Sequence, residues 1–359
     1  METVKSLKVV ITLQGQGVVQ TDGKEVGYAV NKCDGTLVKS FHDNTSYAKS
    51  SFRTGKEGLL GRDIKISGDG LRHAIHVLEH PYHTPNVYIH DALKLAYIAN
   101  IGTMQRGYLC ADSGERRKSI YCITPAYEKS GAVPLLEQHS RSGAKTSSED
   151  GGAKDTTIFS RESLGATTYE AEMYIDISEA GFIPLSDLAD RRAINDDLVT
   201  EFRRILGEQL GSTVPEPAFF VRKYSAYRTP EKGIQLDPQQ VKMIVLDLLT
   251  KVASINISKS QAGYARAVQV VVTPILNGLG KCGKSSTVFN AAAGEMDFRG
   301  LSTVLDNLSS DYEKTDTDAA VALIKDLETR KKAEADAKKK AKADKKGKKK
   351  PVAAEDTED

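Results

Sequence analysis

The stretch LKVVITLQGQGVVQ, residues 7–20, decides the fold. Its first seven residues are mostly apolar and β-branched, which is typical of a core strand, and Gly15 and Gly17 then end the strand. A second stretch, TTYEAEMYIDI at residues 167–177, alternates apolar and polar side chains as a half-buried strand does. ARAVQVVVTPI at residues 265–275 predicts the last core strand.

Helices are predicted between and after these strands. They cover residues 71–80 with Ser67 or Asp69 as the cap and Pro81 as the stop, residues 90–101, residues 195–210, and the stretch after Asp237 and Pro238. Short strands are predicted in MQRGYLC at residues 104–110 and in AFFVRKYSAY at residues 218–227. The main elements, with a long insertion between the second and the third strand, follow the order β-α-β-β-α-β. The predicted fold class is therefore α+β, a modified ferredoxin-like or RNA-recognition-motif domain with large insertions.

The composition divides the chain into segments. Residues 1–275 form the predicted domain, in which residues 24–65 and 111–166 are polar, irregular insertions. Residues 276–329 are predicted to be a Gly-rich linker followed by an amphipathic helix. The Lys-rich tail at residues 330–359 is predicted to be a solvated helix or disordered.

Net charge is uneven along the chain. The 50 basic and 48 acidic residues give +2. Residues 330–359 hold 12 basic and 7 acidic residues, which leaves a net −3 in residues 1–329. The net charge of residues 1–329 therefore does not support RNA binding by this part of the chain. No apolar run reaches membrane-spanning length and no signal peptide is recognisable, so we expect a cytoplasmic protein without membrane contact. Four scattered cysteines are expected to be reduced thiols.

Two short motifs suggest other functions. Residues 278–285, GLGKCGKS, match the P-loop pattern, so a P-loop ATPase is one alternative. Too little apolar chain follows to supply a P-loop sheet, and a Gly/Lys-rich linker is the favoured interpretation. Histidines 73, 76, 80, 83 and 90 lack the cysteine or carboxylate spacing of a metal site, so we expect no metal and no cofactor.

Basic residues recur beside aromatic residues or glycines. Cations neutralise phosphates and aromatic rings stack on unpaired bases, so these groups indicate nucleic-acid binding. A solvated surface, or pairing with the 41 acidic residues of the core, is the alternative. A scaffold that binds nucleic acid through its basic tail is another. The candidates are Arg106, Tyr108, Arg116, Arg117, Lys154, Thr157, Phe159, Arg161, Arg222, Lys223, Lys259, Gly263, Tyr264 and Arg266.

The order of the motifs resembles a known family. GQGVVQ, IKISGDGLRHAI, MQRGYLC, GAKDTTIFSRESLGATTYEAEMYIDI, FFVRKYSAY and LTKVASINISKSQAGYARA occur along residues 5–273. In this order they resemble the backbone subunit of type I CRISPR surveillance complexes, the seventh CRISPR-associated family of the RAMP superfamily. The similarity is closest to the minimal type I-F variant form.

This resemblance implies a palm with a web at residues 24–65 and a thumb at residues 111–166. It further implies subunits joined head to tail along a guide CRISPR RNA, which they present for pairing with target DNA in antiviral defence. Other Cascade subunits would cap the RNA ends. A heterologous interface of this kind generates an open helical filament.

The resemblance also implies roles for individual residues. Ser67 and Arg72 would meet guide phosphates, Arg106 and Tyr108 would lie beside the palm groove, and Thr157, Phe159 and Arg161 would lie near the thumb base. Arg222 and Lys223 would track the RNA backbone, and the turn from Gln261 to Tyr264 would let RNA approach Gly263 closely. RNA-cleaving relatives carry an aspartate after the first strand. Because Asp22, Asp34 and Asp43 match no such motif, no nuclease activity is expected, and the protein is expected not to be an enzyme.

Overall fold

The computed structural model describes fifteen segments of the chain. They are residues 3–21, 27–30, 37–40, 45–55, 58–77, 91–110, 113–143, 155–186, 192–223, 229–258, 263–276, 281–282, 287–291, 299–308 and 310–347. Within these segments the protein is a mixed α and β structure.

The strands are short except for three long ones, β1, β13 and β18. In the first part of the chain they are β1 (Val4–Gln16), β2 (Gly27–Val30), β3 (Leu37–Ser40), β4 (Thr45–Ser46), β5 (Ser50–Gly55), β6 (Gly58–Ile66), β7 (Tyr108–Leu109), β8 (Arg116–Arg117), β9 (Tyr121–Ile123), β10 (Ala126–Glu128), β11 (Leu135–Gly143) and β12 (Asp155–Ser163). The others are β13 (Thr167–Asp176), β14 (Phe182–Pro184), β15 (Ala218–Arg222), β16 (Pro230–Gln235), β17 (Asn256–Ser258), β18 (Tyr264–Leu276), β19 (Lys281–Cys282), β20 (Thr287–Phe289) and β21 (Tyr312–Lys314).

The helices lie between and after the strands. They are α1 (Gly68–Ile75), α2 (Asp91–Ile98), α3 (Ile101–Arg106), α4 (Ile177–Gly181), α5 (Val199–Leu210), α6 (Pro238–Ala253), α7 (Arg299–Val304) and α8 (Thr317–Gly347), with 3₁₀ turns at Asp196–Leu198 and Leu305–Asn307. Among the helices of the described segments, none combines the length and the apolar character needed to span a bilayer.

The central sheet is antiparallel and is built around β1. Ten strands of the described chain belong to it, with the main order β17-β18-β1-β13-β10-β6-β5. β1 pairs with β13 from Ser6↔Asp176 to Gly15↔Thr167, and with β18 from Val4↔Leu276 to Gln16↔Tyr264. β9 also pairs with β13, and β19 and β20 pair with β18. The three predicted core strands are therefore adjacent in the sheet.

The core lies on one face of this sheet. Alternate residues of β1 are fully buried, as the period of two predicts, namely Leu7, Val9, Ile11 and Leu13. Helix α6 contacts β18 and contributes buried side chains to the same core at Val241, Ile244, Val245, Leu248, Leu249 and Val252. Asp237 and Gln240 form a capping box at its start, with Pro238 in the first turn, so the predicted helix start is confirmed.

The second core strand differs from the sequence prediction. Residues 104–110 do not enter the central sheet. Their first part ends helix α3, Gly107 has a φ of 81°, and the one pairing of β7 within the described segments is with β8. β9 and β10 instead occupy the position beside β13. Residues 24–65, predicted to be irregular, contain β5 and β6 at the edge of the sheet.

The described segments contain four smaller sheets, of which two have only the paired strands β2-β3 and β7-β8. β11 and β12, each nine residues long, pair as an antiparallel hairpin between β10 and β13, and β4 pairs with β12. A four-stranded sheet has the order β14-β16-β15-β21, so the segment 218–227 contributes β15 to this sheet rather than to the core. The C-terminal extension, which comprises residues 276–359, supplies the edge strand β21 of this sheet.

Candidate nucleic-acid interface

Three of the motifs read from the sequence meet where β1 ends. A Cβ on Gly263 would lie 2.2 Å from the carbonyl oxygen of Val18, and one on Gly70 would lie 2.0 Å from Nε2 of Gln20. The Gln20 Oε1 atom accepts a hydrogen bond from the Ser67 amide at 2.7 Å. We call this meeting point, residues 15–20, 67–70 and 263–264, the glycine junction. It forms because Gly263 lets the chain approach the backbone of Val18 and Gly70 leaves room for the side chain of Gln20.

Helix α1 starts at the glycine junction. The Ser67 hydroxyl accepts a hydrogen bond from the Gly70 amide at 3.1 Å, so Ser67, one of the two predicted caps, is the N-cap. One turn later the guanidinium of Arg72 lies over the ring of Tyr121, 5.5 Å from its centroid. The buried Nε of Arg72 has no hydrogen-bond partner among the residues that the structure describes.

The face of the central sheet that points away from the core carries polar side chains beside the glycine junction. We call it the outer face. One row across it contains Gln14, Thr168, Arg266 and Asn256, and the next contains Gln16, Tyr264 and Ser258. Tyr264 is 40% exposed. Arg266 is exposed and makes no ion pair with the described part of the chain. The structure thus places an accessible ring and an available cation side by side.

Two further tyrosines of the outer face were missed in the sequence analysis. Tyr127 lies between Lys65 on β6 and Glu170 on β13, and Tyr174 is 37% exposed. Strict alternation along residues 167–177 could have found Tyr174, because its apolar neighbours Met173 and Ile175 both point to the buried face.

Tyr174 stands in a charged setting. The Lys8 Nζ atom lies 5.8 Å from the Tyr174 ring centroid and 2.7 Å from Oε1 of Glu172. The hydrogen bond between Lys8 and Glu172 raises the pKa of the lysine and lowers the pKa of the carboxyl. This end of the outer face is therefore occupied by its own ion pair.

Tyr108 and Arg117 are structural in this chain. Tyr108 is only 7% exposed, and its hydroxyl donates to the Ala193 carbonyl at 2.7 Å. Burial raises the pKa of Tyr108 well above its ordinary value. Arg117 donates to the carbonyl oxygens of Phe182 at 2.8 Å and of Glu179 at 2.6 Å. Neither side chain presents the accessible surface that the sequence analysis expected, because both satisfy buried backbone groups.

Their neighbours Arg106 and Arg116 are different. Arg106 ends helix α3 and is half-buried, and its Nη1 atom is buried without a hydrogen-bond partner in the described segments. Arg116 is exposed on β8, where its amide donates to the Arg192 carbonyl at 2.9 Å.

Arg222 and Lys223 hold the C-terminal extension. The Arg222 guanidinium lies 5.5 Å from the Tyr312 ring centroid, and its Nη2 lies 3.3 Å from Oε1 of Glu179. The Lys223 ammonium donates to the Ser310 carbonyl at 3.2 Å. These interactions occupy both side chains that were expected to track an RNA backbone.

The remaining candidates belong to the β11–β12 hairpin or fall outside the described residues. Arg161 is half-buried on β12, next to Glu162, whose Oε1 lies 2.5 Å from Nη1 of Arg62. Thr157 and Phe159 lie on the same strand. Lys154, Lys259 and Gln261 lie outside the described residues, as do Asp22, Asp34 and Asp43.

The competing motifs gain no support. Lys281 and Cys282, inside the P-loop-like string, form strand β19 paired with the end of β18, whereas a P-loop leads directly into a helix. The rest of the string lies outside the described residues. Among the described histidines, His76 is buried and its Nε2 lies 3.1 Å from the Tyr121 hydroxyl. No cluster of metal-ligating side chains occurs within the described segments, and His80, His83 and His90 lie outside them.

Comparisons with known proteins identify the family to which the chain belongs. The family model described as type I-Fv CRISPR-associated protein Cas7fv-like matches residues 3–273. A solved chain from a "CRISPR RNA-guided surveillance complex" is 10% identical, with 90% of this chain and 83% of that chain covered and a TM-score of 0.35. Another, from a "CRISPR RNA-guided surveillance complex, pre-nicking", is 8% identical, with coverages of 75% and 78% and a TM-score of 0.34. None of the curated proteins matches the chain significantly. Because both TM-scores are below 0.5, the assignment rests on the family model.

Proposed function

The chain belongs to the Cas7fv-like family of type I-Fv CRISPR-associated proteins and is a guide-RNA-binding backbone subunit of a type I complex; we propose that it holds the guide at the glycine junction and the adjoining outer face. The single observation that carries this placement is the convergence of three separate motifs. They bring Ser67, Tyr264 and Arg266 to one end of β1.

The chemistry of this site suits single-stranded RNA. A 40%-exposed tyrosine ring can stack on a base, and the neighbouring arginine can neutralise a phosphate. The amide side chains of Gln14, Gln16 and Asn256 lie in the same rows and can hydrogen-bond to sugar or phosphate oxygens. Contacts to the backbone leave base edges free, so target DNA is selected by pairing with the guide.

The palm, thumb and web that we propose are based on the strand order of the central sheet. β18-β1-β13 with β9 and β10 beside β13 supports a modified RNA-recognition palm, since a ferredoxin-like sheet has its four strands in the order 4-1-3-2. The β11–β12 hairpin, which leaves the sheet after β10 and returns before β13, is the thumb of this proposal. Residues 24–65 are its web.

At the level of assembly, copies of the subunit pack head to tail along the guide in the cytoplasm, and other Cascade subunits cap its ends. A repeated heterologous contact produces an open helix, which suits a linear RNA. The subunit itself has no catalytic role in this proposal.

The test is RNA retention by a double variant. Tyr264→Ala with Arg266→Ala should lower the guide RNA that co-purifies with the complex by about tenfold or more, since one stacked base contributes about 1–3 kcal/mol. The chain has no Trp and 14 Tyr, so bound RNA dominates the ratio of absorbance at 260 and 280 nm.

Two control variants show whether a loss of RNA is specific to the aromatic ring and to this site. Tyr264→Phe keeps the ring and should retain RNA. Arg204→Ala removes a 54%-exposed cation from helix α5 and should leave RNA retention unchanged. Normal retention by the double variant, with its melting temperature preserved, would place the guide elsewhere on the molecule.

A further inference from the structure

The C-terminal extension is built into the fold, although it lies beyond the family match at residues 3–273. Strand β21 pairs with β15 from Phe220↔Lys314 to Arg222↔Tyr312. Tyr312 is 5% exposed and its ring stacks on Phe182, with centroids 3.7 Å apart and an interplanar angle of 11°. The extension is thus fixed to the four-stranded sheet.

Helix α8 starts just after β21 and continues beyond the turns that pack on the domain. Asp316 Oδ1 accepts a hydrogen bond from the Ala319 amide at 3.0 Å at the start of the helix. Ala320 is buried and Ile324 and Leu327 are half-buried, at the i, i+4, i+7 spacing of a packed face. From residue 328 to residue 347 the sequence has no apolar residue larger than alanine. The later turns therefore have nothing with which to pack on the domain, and residues 330–347 add about 27 Å of helix.

We call residues 330–347 the basic arm. It contains nine basic and three acidic residues, a net charge of +6, and three more lysines follow at positions 348–350. Alanine and lysine favour the helix intrinsically. Glu334 precedes Lys338 by four residues and Asp336 precedes Lys340 by four, which is the spacing and order that stabilise a solvated helix.

The C-terminal extension is anchored far from the glycine junction. Its anchor strand is next to β15, where Arg222 contacts Glu179 of helix α4. Helix α4 follows Asp176, which pairs with Ser6. The glycine junction lies at the other end of β1, beside Gln16. Ten residues of strand, about 33 Å, separate the two ends. The anchor of the extension is therefore separate from the glycine junction.

We propose that the basic arm is a second nucleic-acid site, which binds the phosphate backbone of double-stranded DNA without sequence preference. This inference rests on the proposed function, because DNA reaches the arm through the assembled guide complex. An α-helix fits the major groove of B-form DNA, whereas the major groove of A-form RNA is too deep and narrow for it. The arm has no Asn or Gln between residues 330 and 347, so it lacks the side chains that recognise adenine through two hydrogen bonds.

The experiment measures duplex DNA binding by the complex assembled from full-length chains. Its guide has no complement in the DNA, so base pairing contributes nothing. Replacing lysines 338, 339, 340, 342, 345 and 346 by glutamine should weaken binding at about 0.1 M salt by tenfold or more. It should also flatten the dependence of log K on log salt, by about 0.9 for each phosphate that the arm no longer neutralises. Replacing the same lysines by arginine should preserve both.

Three results would overturn the inference. The first is unchanged DNA affinity in the glutamine variant. The second is a matching loss of guide RNA, which would make the arm part of the guide site. The third is equal competition by duplex RNA of the same length, because the groove argument excludes it. Failure of the guide-binding proposal is separately visible, because the wild-type complex would then carry no RNA.

Discussion

At the scale of single residues, Gly263 is required by the protein itself. A Cβ there would lie 2.2 Å from the Val18 carbonyl oxygen and 2.7 Å from its carbon, which are both backbone atoms. The sequence analysis expected glycine at this position so that RNA could come close. The structure shows that the loop after β1 makes the close approach. The tight packing of Gly263 against Val18 gives the glycine junction its shape.

Gly263→Ala should therefore destabilise the protein and displace the loop after β1. Overpacking a buried site costs about 1–3 kcal/mol, and the clashing atoms cannot rotate away as a side chain would. The matched control is Gly165→Ala, since Gly165 is exposed and an added Cβ would meet nothing within 4 Å. Urea unfolding of both variants measures the difference. Equal midpoints would show that the junction is looser than these distances indicate.

Residue type alone could not sort the candidate RNA contacts. The sequence correctly marks Ser67 as a cap and includes Tyr264 and Arg266 in its set. It cannot show that Tyr108 bonds Ala193 or that Lys223 bonds Ser310, because those partners lie 85 and 87 positions away. An arginine that satisfies buried carbonyl groups and one that awaits a phosphate look the same in a sequence.

At the scale of elements, long strands with one buried face were predictable, whereas the sheet that each short strand joins was not. β1, β13 and β18 carry ten or more residues with a period of two, so their pattern is strong. β9 and β10 have three residues each, too few for a period, and belong to the sheet only through their pairing with β13. Helix α6 was predictable because its capping box is local.

β21 is an element whose contribution can be measured. Tyr312→Ala should lower stability by about 3 kcal/mol, the usual cost of truncating a buried aromatic side chain. It would remove the ring that stacks on Phe182 and the ring beneath the Arg222 guanidinium. Tyr312→Phe keeps the stacking and should cost far less. Thermal unfolding compares the two variants, and similar losses would mean that the hydroxyl, rather than the ring, holds the extension.

At the scale of the whole molecule, charge is divided between two parts with different tasks. Residues 1–329 carry a net −3, yet they contain the glycine junction, where Arg266 lies among uncharged amide and hydroxyl side chains. The arm carries +6 within 18 residues. A local arrangement of side chains therefore holds the guide in our proposal, whereas the density of charge attracts DNA.

Deleting residues 330–359 should separate these two tasks. The deletion leaves Ala320, Ile324 and Leu327 in place, so β21 and the packed turns of α8 keep their contacts. The truncated protein should retain guide RNA, and nuclease treatment should still yield protected fragments in multiples of one site size, because in our proposal the repeating contact lies within residues 1–329. Its affinity for unpaired duplex DNA should fall at least as far as in the glutamine variant. A truncated protein without any bound RNA would instead be a scaffold that binds nucleic acid through its tail, and the guide site at the glycine junction would be wrong.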